Sequence, residues 1–420
     1  MINTSEQLEA RRAVESMRSG VPSAAAVRTM GSGQAQLEQE FRELLKDADV
    51  AYSSGNQLTG LLLRAGFGEG KSHLLTCFEH LALDLGYVVS RVVISKETPL
   101  QIPSKVLAAA VEGLRVPDKI GRGLAEVGVS LHKQLESPEY RRLVEMLGRE
   151  DGLNSRFAAT LYLFEKGGAQ DEELGDKIVR FWSGDKLNVA DVKRCLREVG
   201  DGQNFRLEPI RARELAIQTM TFLPHLIRAA GFKGLVLLID EVELIGRYTR
   251  LGRAQSYAEL ARWIGADGRD QRPGLVTVAA VTSDYAHEVL IGKQDLDLNA
   301  SLLAARDAEA SGPCLSGMRL IQKASLLESP SEEIKRGAYA RLKKLHGQAY
   351  AWEPPEVTWP ETLGATPMRT YVRAWINGWD VRRLYPDARA DEGGYVIDNV
   401  MTGYDEEPEL EMLDEAVEDA

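Results

Sequence analysis

Residues 65–72 have the residue types and spacing of a phosphate-binding loop, with Ala65 where glycine is usual. Glycines at three positions keep the backbone free of Cβ atoms, so that several N–H donors can surround one phosphate. Lys71 would reach the β and γ phosphates, and the Ser72 hydroxyl would ligate Mg²⁺. The alternative is a glycine-rich turn that binds nothing. The candidate nucleotide-binding residues are Gly66, Phe67, Gly68, Glu69, Gly70, Lys71, Ser72 and His73.

Two adjacent carboxylates follow the apolar run of residues 235–239. Asp240 is predicted to hold Mg²⁺ together with Ser72, while Glu241 is predicted to orient and deprotonate an attacking water. This pair favours hydrolysis over passive binding, although two acids at a strand end can also be a solvated terminus. Glu243 repeats the acid two residues later, and for it a surface role is as plausible as a catalytic one.

A later apolar run, residues 275–281, ends in Thr282 and Ser283. In additional-strand ATPases, the strand between the loop strand and the acidic strand ends in a polar residue that contacts the γ-phosphate and the attacking water. Thr282 or Ser283 resembles this sensor. A threonine at a strand end is common, so a purely structural role is the alternative.

Arginines near the phosphates would neutralise charge that develops in the transition state. Arg369 could bend back from a helical lid onto the phosphates, and Arg373, one turn later on the same face, is its rival. Arg306 is the first candidate for an arginine supplied to a neighbouring subunit. Arg247, Arg250 and Arg253 are the other candidates, and an exposed helical arginine is the alternative for each.

The elements that must position these residues alternate between apolar strands and helices, which predicts a parallel α/β sheet. Strands are expected at residues 58–64, 87–94, 234–239 and 275–281, with a weaker one at 318–321. Helical spacing without a strand signal predicts an all-helical insertion at about 104–230. Residues 329–332 are predicted to cap a helix, with Pro330 at its first position. A last helix is expected from 366 to about 375.

These elements predict four regions. Residues 1–57 form an N-terminal helical segment that contributes to the nucleotide site, and residues 58–322 form the core with its insertion. Residues 323–403 form a C-terminal helical lid. Residues 404–420 form an acidic tail that is expected to be disordered.

The composition is that of a soluble globular protein, with a net charge of −12. Nine of the acids lie in residues 404–420, which leaves −3 for the rest and does not exclude a DNA-facing surface. Two basic clusters, residues 341–344 and 382–383, are usually solvated helix faces at this density. Scattered cysteines and the lack of a signal peptide or membrane span indicate a cytoplasmic protein. The tail is expected to aid solubility or to compete with DNA for a basic site.

Several segments together resemble the ATP-binding proteins of BREX phage-defence loci, in particular the smaller BrxD-like type. The likeness covers about residues 10–379, and its most specific parts are the N-terminal segment and GKSHLL. The segments are ARRAVE (10–15), RSGVP (18–22), GFGEGKSHLL (66–75), FWSG (181–184) and LLIDEVELI (237–245).

The resemblance implies an AAA+ P-loop NTPase core, related to origin-recognition and replication-initiator ATPases, with ATP and Mg²⁺ as ligands. It places Gly20, Val21 and Pro22 near the adenine. It also implies other subunits of the defence system as partners and a nucleotide-dependent homo-oligomer, while direct DNA contact stays open. The sequence departs from the family pattern in one further respect, since no arginine-finger motif follows the sensor strand.

Three functions compete at this point. The first is an ATPase that acts as a switch or motor on DNA or partner proteins in the defence system. The second is an ATP-dependent adaptor of the transposon or replication-loader type, which assembles on DNA and recruits another enzyme. The third is a regulatory nucleotide-binding scaffold, against which the intact Glu241 argues.

Overall fold

The computed structural model describes residues 4–20, 23–119, 123–149, 152–168, 171–268, 271–357, 367–386 and 403–407. Three features named above fall outside this part of the chain: the Val21-Pro22 dipeptide, Thr366 and the acidic residues beyond Glu407.

Five parallel strands form one sheet in the described residues, in the order β2-β3-β4-β1-β5. The predicted parallel α/β arrangement is confirmed, and four strands lie within a few residues of the expected positions. β3 and β4 are buried along their whole length, as expected for strands covered by helices on both faces. The strands are β1 Leu61–Ala65, β2 Val88–Val93, β3 Leu235–Asp240, β4 Leu275–Thr282 and β5 Ser325–Leu326.

Sixteen α-helices accompany the sheet in the described part of the chain. None of them combines the length and apolar character that crossing a bilayer requires. A 3-10 helix spans Val242–Arg247, and π-helical turns span Phe164–Gly168 and Ala286–Ile291. The α-helices are α1 Thr4–Ser19, α2 Ala24–Met30, α3 Ala35–Ser53, α4 Lys71–Asp84, α5 Pro103–Glu112, α6 Leu124–His132, α7 Pro138–Leu147, α8 Ser155–Leu163, α9 Glu172–Trp182, α10 Val189–Glu198, α11 Ala212–Ala229, α12 Arg250–Ile264, α13 Asp295–Ala304, α14 Ser311–Gln322, α15 Glu332–Tyr350 and α16 Met368–Leu384.

β4 lies between the strand that leads into the glycine-rich loop and the strand that ends in the two acids. It pairs with β1 so that Thr282 is opposite Ala65, and it pairs with β3 so that Ala279 is opposite Ile239. Because parallel strands present their carboxyl ends at one edge of the sheet, this register brings the loop, the two acids and Thr282 to the same edge.

Helices cover both faces of the sheet. On one face α3 and α4 pack together, with the rings of Phe41 and Phe78 stacked at 4.2 Å between centroids. On the other face α5, α11 and α12 bury their apolar sides against the sheet, and α14 packs on α12 within the same apolar cluster. The glycine-rich loop and the acidic end of β3 are therefore attached to a sheet that helices cover on both faces.

The stretch between β2 and β3 contains α5 to α11, in agreement with the helical spacing of its sequence. α5 packs on β2 and α11 on β3. Of the helices between them, α6 and α7 pack on α11, α8 and α9 contact it through aromatic rings, and α10 packs on α8. The aromatic rings of Phe157, Phe181, Trp182 and Phe222 form the junction of α8, α9 and α11. These helices share one continuous apolar core with the sheet. Their status as an inserted module remains a prediction.

The strand expected at residues 318–321 is wrong, because these residues lie within α14. Cys314, Met318 and Ile321 recur at helical spacing and are all buried. A short apolar run in the sequence fits a strand as well as a buried helical turn, and here packing against α12 stabilises the helix. The fifth strand instead consists of two residues that follow α14 and pair with β1.

α15 begins two residues later than expected. Ser331, not Ser329, is its N-cap, and its hydroxyl accepts a hydrogen bond from the Ile334 N–H at 3.2 Å. Pro330 therefore precedes the cap instead of occupying the first helical position. α16 continues past the expected end at residue 375 to Leu384, with Trp375 and Trp379 fully buried.

α1 and α2 pack against α15 and α16 in one apolar cluster. The Arg11 Nε donates to the Ala349 carbonyl at 2.7 Å, and Arg18 forms an ion pair with Asp380. The beginning of the chain and the helices after the sheet are thus held together beside the glycine-rich loop.

Candidate nucleotide-binding site

The glycine-rich loop joins the last residue of β1 to the first residue of α4. Gly70 is the N-cap of α4 at φ +108°, and Gly68 has φ +79°, conformations that side chains with a Cβ rarely adopt. The free N–H groups of the first helical turn therefore point out of the helix into the loop, where the helix dipole favours an anion.

Glu69 already places a carboxylate oxygen against this loop. The Gly66 N–H donates to Glu69 Oε2 at 2.6 Å, and a Cβ at Gly66 would lie 2.9 Å from the Glu69 carboxyl carbon. The backbone is thus shaped to hold an oxygen anion, and a residue larger than glycine would displace it. These observations fit the loop to a phosphate group.

Lys71 is buried at the bottom of the cleft and pairs with a residue whose role the sequence left open. Its Nζ lies 3.4 Å from the Ala65 carbonyl oxygen and 3.4 Å from Glu243 Oε1. Glu243 is only 2 % exposed, which rules out the surface role. Its Oε2 is buried without a hydrogen-bond partner among the described residues. Burial raises the pKa of Glu243 to about 7, against the opposing effect of the Lys71 ammonium.

The raised pKa of Glu243 predicts a pH dependence of stability that Glu243→Gln removes. The unfolded carboxyl ionises near 4.5, whereas the folded one keeps its proton to about 7. Since the unfolded state loses its proton first, this group lowers the free energy of unfolding as pH rises through that window, by about 3 kcal/mol in total.

Urea unfolding of wild type and of Glu243→Gln between about pH 5 and about pH 8 tests this effect. We expect the glutamine variant to gain stability relative to wild type as the pH rises. Glu198→Gln, at an exposed position of α10, is the control and should follow wild type. Parallel pH profiles of wild type and Glu243→Gln would show that the buried carboxyl does not titrate in this range.

Asp240 and Ser72 are linked through a residue that the sequence analysis missed. Arg91 on β2 donates to Asp240 Oδ2 at 2.6 Å and to the Ser72 carbonyl at 3.4 Å, and it also bonds the Thr76 hydroxyl at 2.9 Å. Arg91 thus bridges the Asp240 carboxylate and the backbone carbonyl of Ser72. The available signal was a single charge in an otherwise apolar strand.

Glu241 directly follows β3 and has a left-handed backbone, with φ +60°. Its N–H donates to Asp240 Oδ1 at 3.0 Å, which fixes the turn, and its side chain lines the cleft beside Lys71. Burial raises the pKa of Glu241, and the Asp240 carboxylate raises it further. A carboxylate with a raised pKa is a better proton acceptor, as a general base requires.

Thr282 is buried at the end of β4, whereas Ser283 is exposed. The Ser283 N–H donates to the Ala65 carbonyl at 3.0 Å, which ties the strand end to the start of the loop. The Thr282 hydroxyl lies 2.6 Å from the hydroxyl of Tyr404, a residue that sequence reasoning placed in the acidic tail. Of the two sensor candidates, Thr282 is the one held beside the loop strand with its hydroxyl fixed.

Arg369 contacts the loop directly, and Arg373 does not. The Arg369 N–H lies 3.4 Å from the Gly68 carbonyl, its Nη2 donates to the Gly20 carbonyl at 2.9 Å, and its guanidinium stands 5.3 Å from the centre of the Phe67 ring. Arg373 instead donates to the carbonyls at the end of α1. Arg369 is therefore the arginine that α16 brings to the cleft.

The remaining arginine candidates lie away from the cleft. Arg306 is on the exposed turn after α13, outside the residues that line the cleft. Arg253 is fully buried, and its Nε and Nη2 donate to Asp295 at 2.8 Å each, so it cannot reach a neighbouring subunit. Arg247 pairs with Glu407 at 3.2 Å, and Arg250 Nη2 donates to the Lys293 carbonyl at 3.4 Å.

An apolar cleft of about 200 Å³ adjoins the loop between the N-terminal helices and the helices after the sheet. His73 Nε2 donates to the Gly31 carbonyl at 2.7 Å and so joins α4 to the end of α2. Gly20, expected near an adenine, lines this cleft. The apolar wall of this cleft could not be predicted from a local motif, because the residues that form it come from five distant segments of the chain. They are Met17, Met30, Leu327, Ile334, Ala338, Met368 and Val372.

The chain belongs to the family of BREX system ATP-binding proteins BrxC/D, since the sequence model of that family matches residues 6–297. This match confirms the resemblance found in the sequence. No curated protein and no solved structure matches the chain. Family membership assigns the chain nucleotide binding and a role within the multi-protein BREX defence system, whose other subunits are its partners.

Proposed function

We propose that this chain is an AAA+ ATPase that binds and hydrolyses ATP and acts as a switch or motor in the BREX system. The observation that carries the proposal is the meeting of three strand ends at one edge of the sheet. The glycine-rich loop follows β1, Asp240 and Glu241 close β3, and Thr282 closes β4 between them. The strand order supports the additional-strand class of P-loop ATPases.

The loop and Lys71 are positioned to hold the phosphates. The N–H groups at the start of α4 donate to an oxygen anion in the way that the Gly66 N–H donates to Glu69. ATP would displace the Glu69 carboxylate from this position. Lys71, buried and 3.4 Å from Glu243, supplies a cation that is already desolvated and fixed.

Ser72 and Asp240 fit a hydrated Mg²⁺ because a hydroxyl and a carboxylate are hard oxygen ligands, and Arg91 ties the Asp240 carboxylate to the backbone carbonyl of Ser72. When bound, the ion would neutralise charge on the phosphate oxygens. Glu241 accepts the proton of the attacking water as the new bond to the γ-phosphorus forms, and the broken bond leaves its electron pair on ADP. Thr282 orients the same water or an oxygen of the γ-phosphate.

The switch is proposed to lie in the helices that enclose the cleft. Arg369 joins α16 to the loop and to the end of α1, so a change at the phosphates reaches the cluster of α1, α2, α15 and α16. A ligand shifts such an equilibrium only by the difference between its affinities for the two arrangements. ATP and ADP differ at the γ-phosphate, close to where Arg369 contacts the loop.

Phosphate release by the purified chain tests the proposed function. We expect turnover with ATP and Mg²⁺, loss of turnover when EDTA removes the metal, and a smaller loss of ATP binding measured by calorimetry, because the loop and Lys71 remain. A chain that binds no ATP under either condition would contradict the proposal. Binding without turnover, even with DNA or partner subunits present, would favour a scaffold.

Three residues of the predicted basic clusters contact neighbouring groups of the protein, whereas Arg341 and Lys344 are exposed. Lys343 forms an ion pair with Glu356, Arg382 donates to the carbonyl of the same residue at 3.2 Å, and Arg383 stacks on Tyr350. These contacts support a structural role within the helices after the sheet. Homo-oligomer formation stays part of the proposal, and mass photometry with a slowly hydrolysed ATP analogue tests it, since a monomer under all conditions would exclude nucleotide-driven assembly.

A further inference from the structure

Residues 403–407 lie against the sensor end of the candidate site, although they are remote from it in sequence. The Glu407 N–H donates to the Arg247 carbonyl at 2.9 Å, and Arg247 Nε donates back to the Gly403 carbonyl at 3.2 Å. Lys293 Nζ donates to the carbonyls of Tyr404 and Gly246. The backbone of this segment is thus bonded at both ends to the elements that follow β3 and β4.

The acidic side chains of the segment meet basic groups on three elements. Glu406 accepts from Arg253 Nη1 at 2.7 Å, and Glu407 pairs with Lys96 at 3.0 Å and with Arg247 at 3.2 Å. Arg253 already has a bidentate partner in Asp295 and donates to the Tyr248 carbonyl. Asp295 and the Tyr248 carbonyl therefore supply hydrogen-bond acceptors and an opposite charge to the buried Arg253 without Glu406. The ion pair between Arg253 and Asp295 does not need the segment.

Tyr404 inserts its ring into a close-fitting position at the end of β4. The ring stands edge-on to Tyr285, with 5.8 Å between centroids, and a Cβ at Gly246 would lie 2.6 Å from its Cδ1 atom. Its hydroxyl lies 2.6 Å from Thr282 Oγ1 and 3.1 Å from Asp284 Oδ1.

These two contacts decide the direction of the hydrogen bonds. A carboxylate only accepts, so the Tyr404 O–H donates to Asp284 and its oxygen accepts from Thr282. A threonine hydroxyl has a single proton, and here Thr282 uses that proton in the hydrogen bond to the Tyr404 oxygen. Phosphate oxygens are acceptors, and Thr282 has no second proton to offer them while Tyr404 is in place.

We infer that residues 403–407 are a built-in restraint that holds the Thr282 hydroxyl on Tyr404, and that their release raises ATP turnover. This inference rests on the proposed hydrolysis of ATP. The basic side chains that hold the acids, Lys96, Arg247 and Arg253, form the docking surface, and its occupant is this segment of the same chain. Ion pairs at exposed Lys96 and half-exposed Arg247 weaken with salt, so the restraint is released by high ionic strength.

Three variants test the inference. The first lacks residues 403–420. The second, Tyr404→Phe, removes the hydroxyl while keeping the ring against Tyr285. The third, Tyr385→Phe, is the matched control, because Tyr385 is 64 % exposed at the end of α16. Phosphate release reports turnover, and amide hydrogen exchange of residues 242–253 and 289–295 reports docking independently of turnover.

We expect the deletion to speed hydrogen exchange in both segments and to raise turnover about threefold to tenfold, which corresponds to loss of one hydrogen bond. Tyr404→Phe should raise turnover similarly with exchange close to wild type, and Tyr385→Phe should change neither. A peptide of sequence GYDEE should slow turnover of the deletion variant, and GFDEE should not.

Unchanged exchange in the deletion variant would show that the segment is not docked and would overturn the inference. Faster exchange with unchanged or lower turnover would show that the segment only braces the fold, which also overturns it. If wild type and every variant bind ATP but release no phosphate, the proposed function itself fails, and the restraint fails with it.

Discussion

Lys71→Ala is expected to reduce ATP turnover by about a hundredfold or more and to weaken ATP binding measurably. The ammonium is the cation that the cleft presents at the end of the glycine-rich loop, where it is desolvated and fixed by the Ala65 carbonyl and Glu243. A charge held in this way loses little on binding phosphate, so its removal costs more than loss of an exposed lysine. Calorimetry measures the affinity, and phosphate release measures the turnover.

Lys46→Ala is the matched control, because Lys46 is exposed on α3 away from the cleft. It should leave both quantities unchanged. Removing Lys71 also leaves Glu243 without its cation, so a melting curve of each variant is needed to separate loss of binding from loss of folding. If Lys71→Ala remained folded and bound ATP as tightly as wild type, the loop would not be the phosphate site.

Glu241→Gln is expected to lower turnover by about a hundredfold to ten-thousandfold while leaving ATP affinity close to wild type. Glutamine keeps the size of the side chain and the left-handed backbone of this position, but it cannot accept the proton of water. The raised pKa of Glu241, caused by burial and by Asp240, is the property that the substitution removes. The variant should therefore accumulate in its ATP-bound form.

Single-turnover phosphate release and nucleotide binding on the same preparation separate the two effects. Glu198→Gln serves as the exposed control and should behave as wild type. Wild-type turnover in Glu241→Gln would assign the proton transfer to another group. Glu243 would be the next candidate, because its carboxyl also lies in the cleft with a raised pKa.

The parts of the molecule that could be predicted from sequence are those whose residues are contiguous in the chain. The strand at 235–239 is an unbroken apolar run, the strand at 275–281 is interrupted only by Thr277, and the loop at 65–72 carries its own glycines. In each of these segments the local residue pattern indicates the backbone conformation and the elements that precede and follow it. The error at 318–321 has the same origin, because a short stretch with three apolar residues fits a strand as well as a helical turn, and only the packing against α12 distinguishes the two.

The parts that could not be predicted depend on contacts between distant segments. Glu243 is a partner of Lys71 across 172 positions of sequence, which no local pattern encodes. Tyr404 lies in an acidic stretch whose composition predicts a solvated segment. Only the contact of its ring with Tyr285 shows that it is packed. Arg369 was the expected arginine and Arg373 its rival, and the orientation of α16 determines that Arg369 contacts the loop whereas Arg373 contacts the end of α1.

The joining of α1 to α15 and α16 sets the order in which the chain can complete its fold during synthesis. Besides α2, Ala10, Ala13 and Val14 pack with α15 and α16, whose residues leave the ribosome more than 300 positions later. Until then the apolar side of α1 is exposed to water, and closing so long a loop is slow. The wall of the nucleotide cleft that these helices build is therefore expected to be among the last parts of the fold to form.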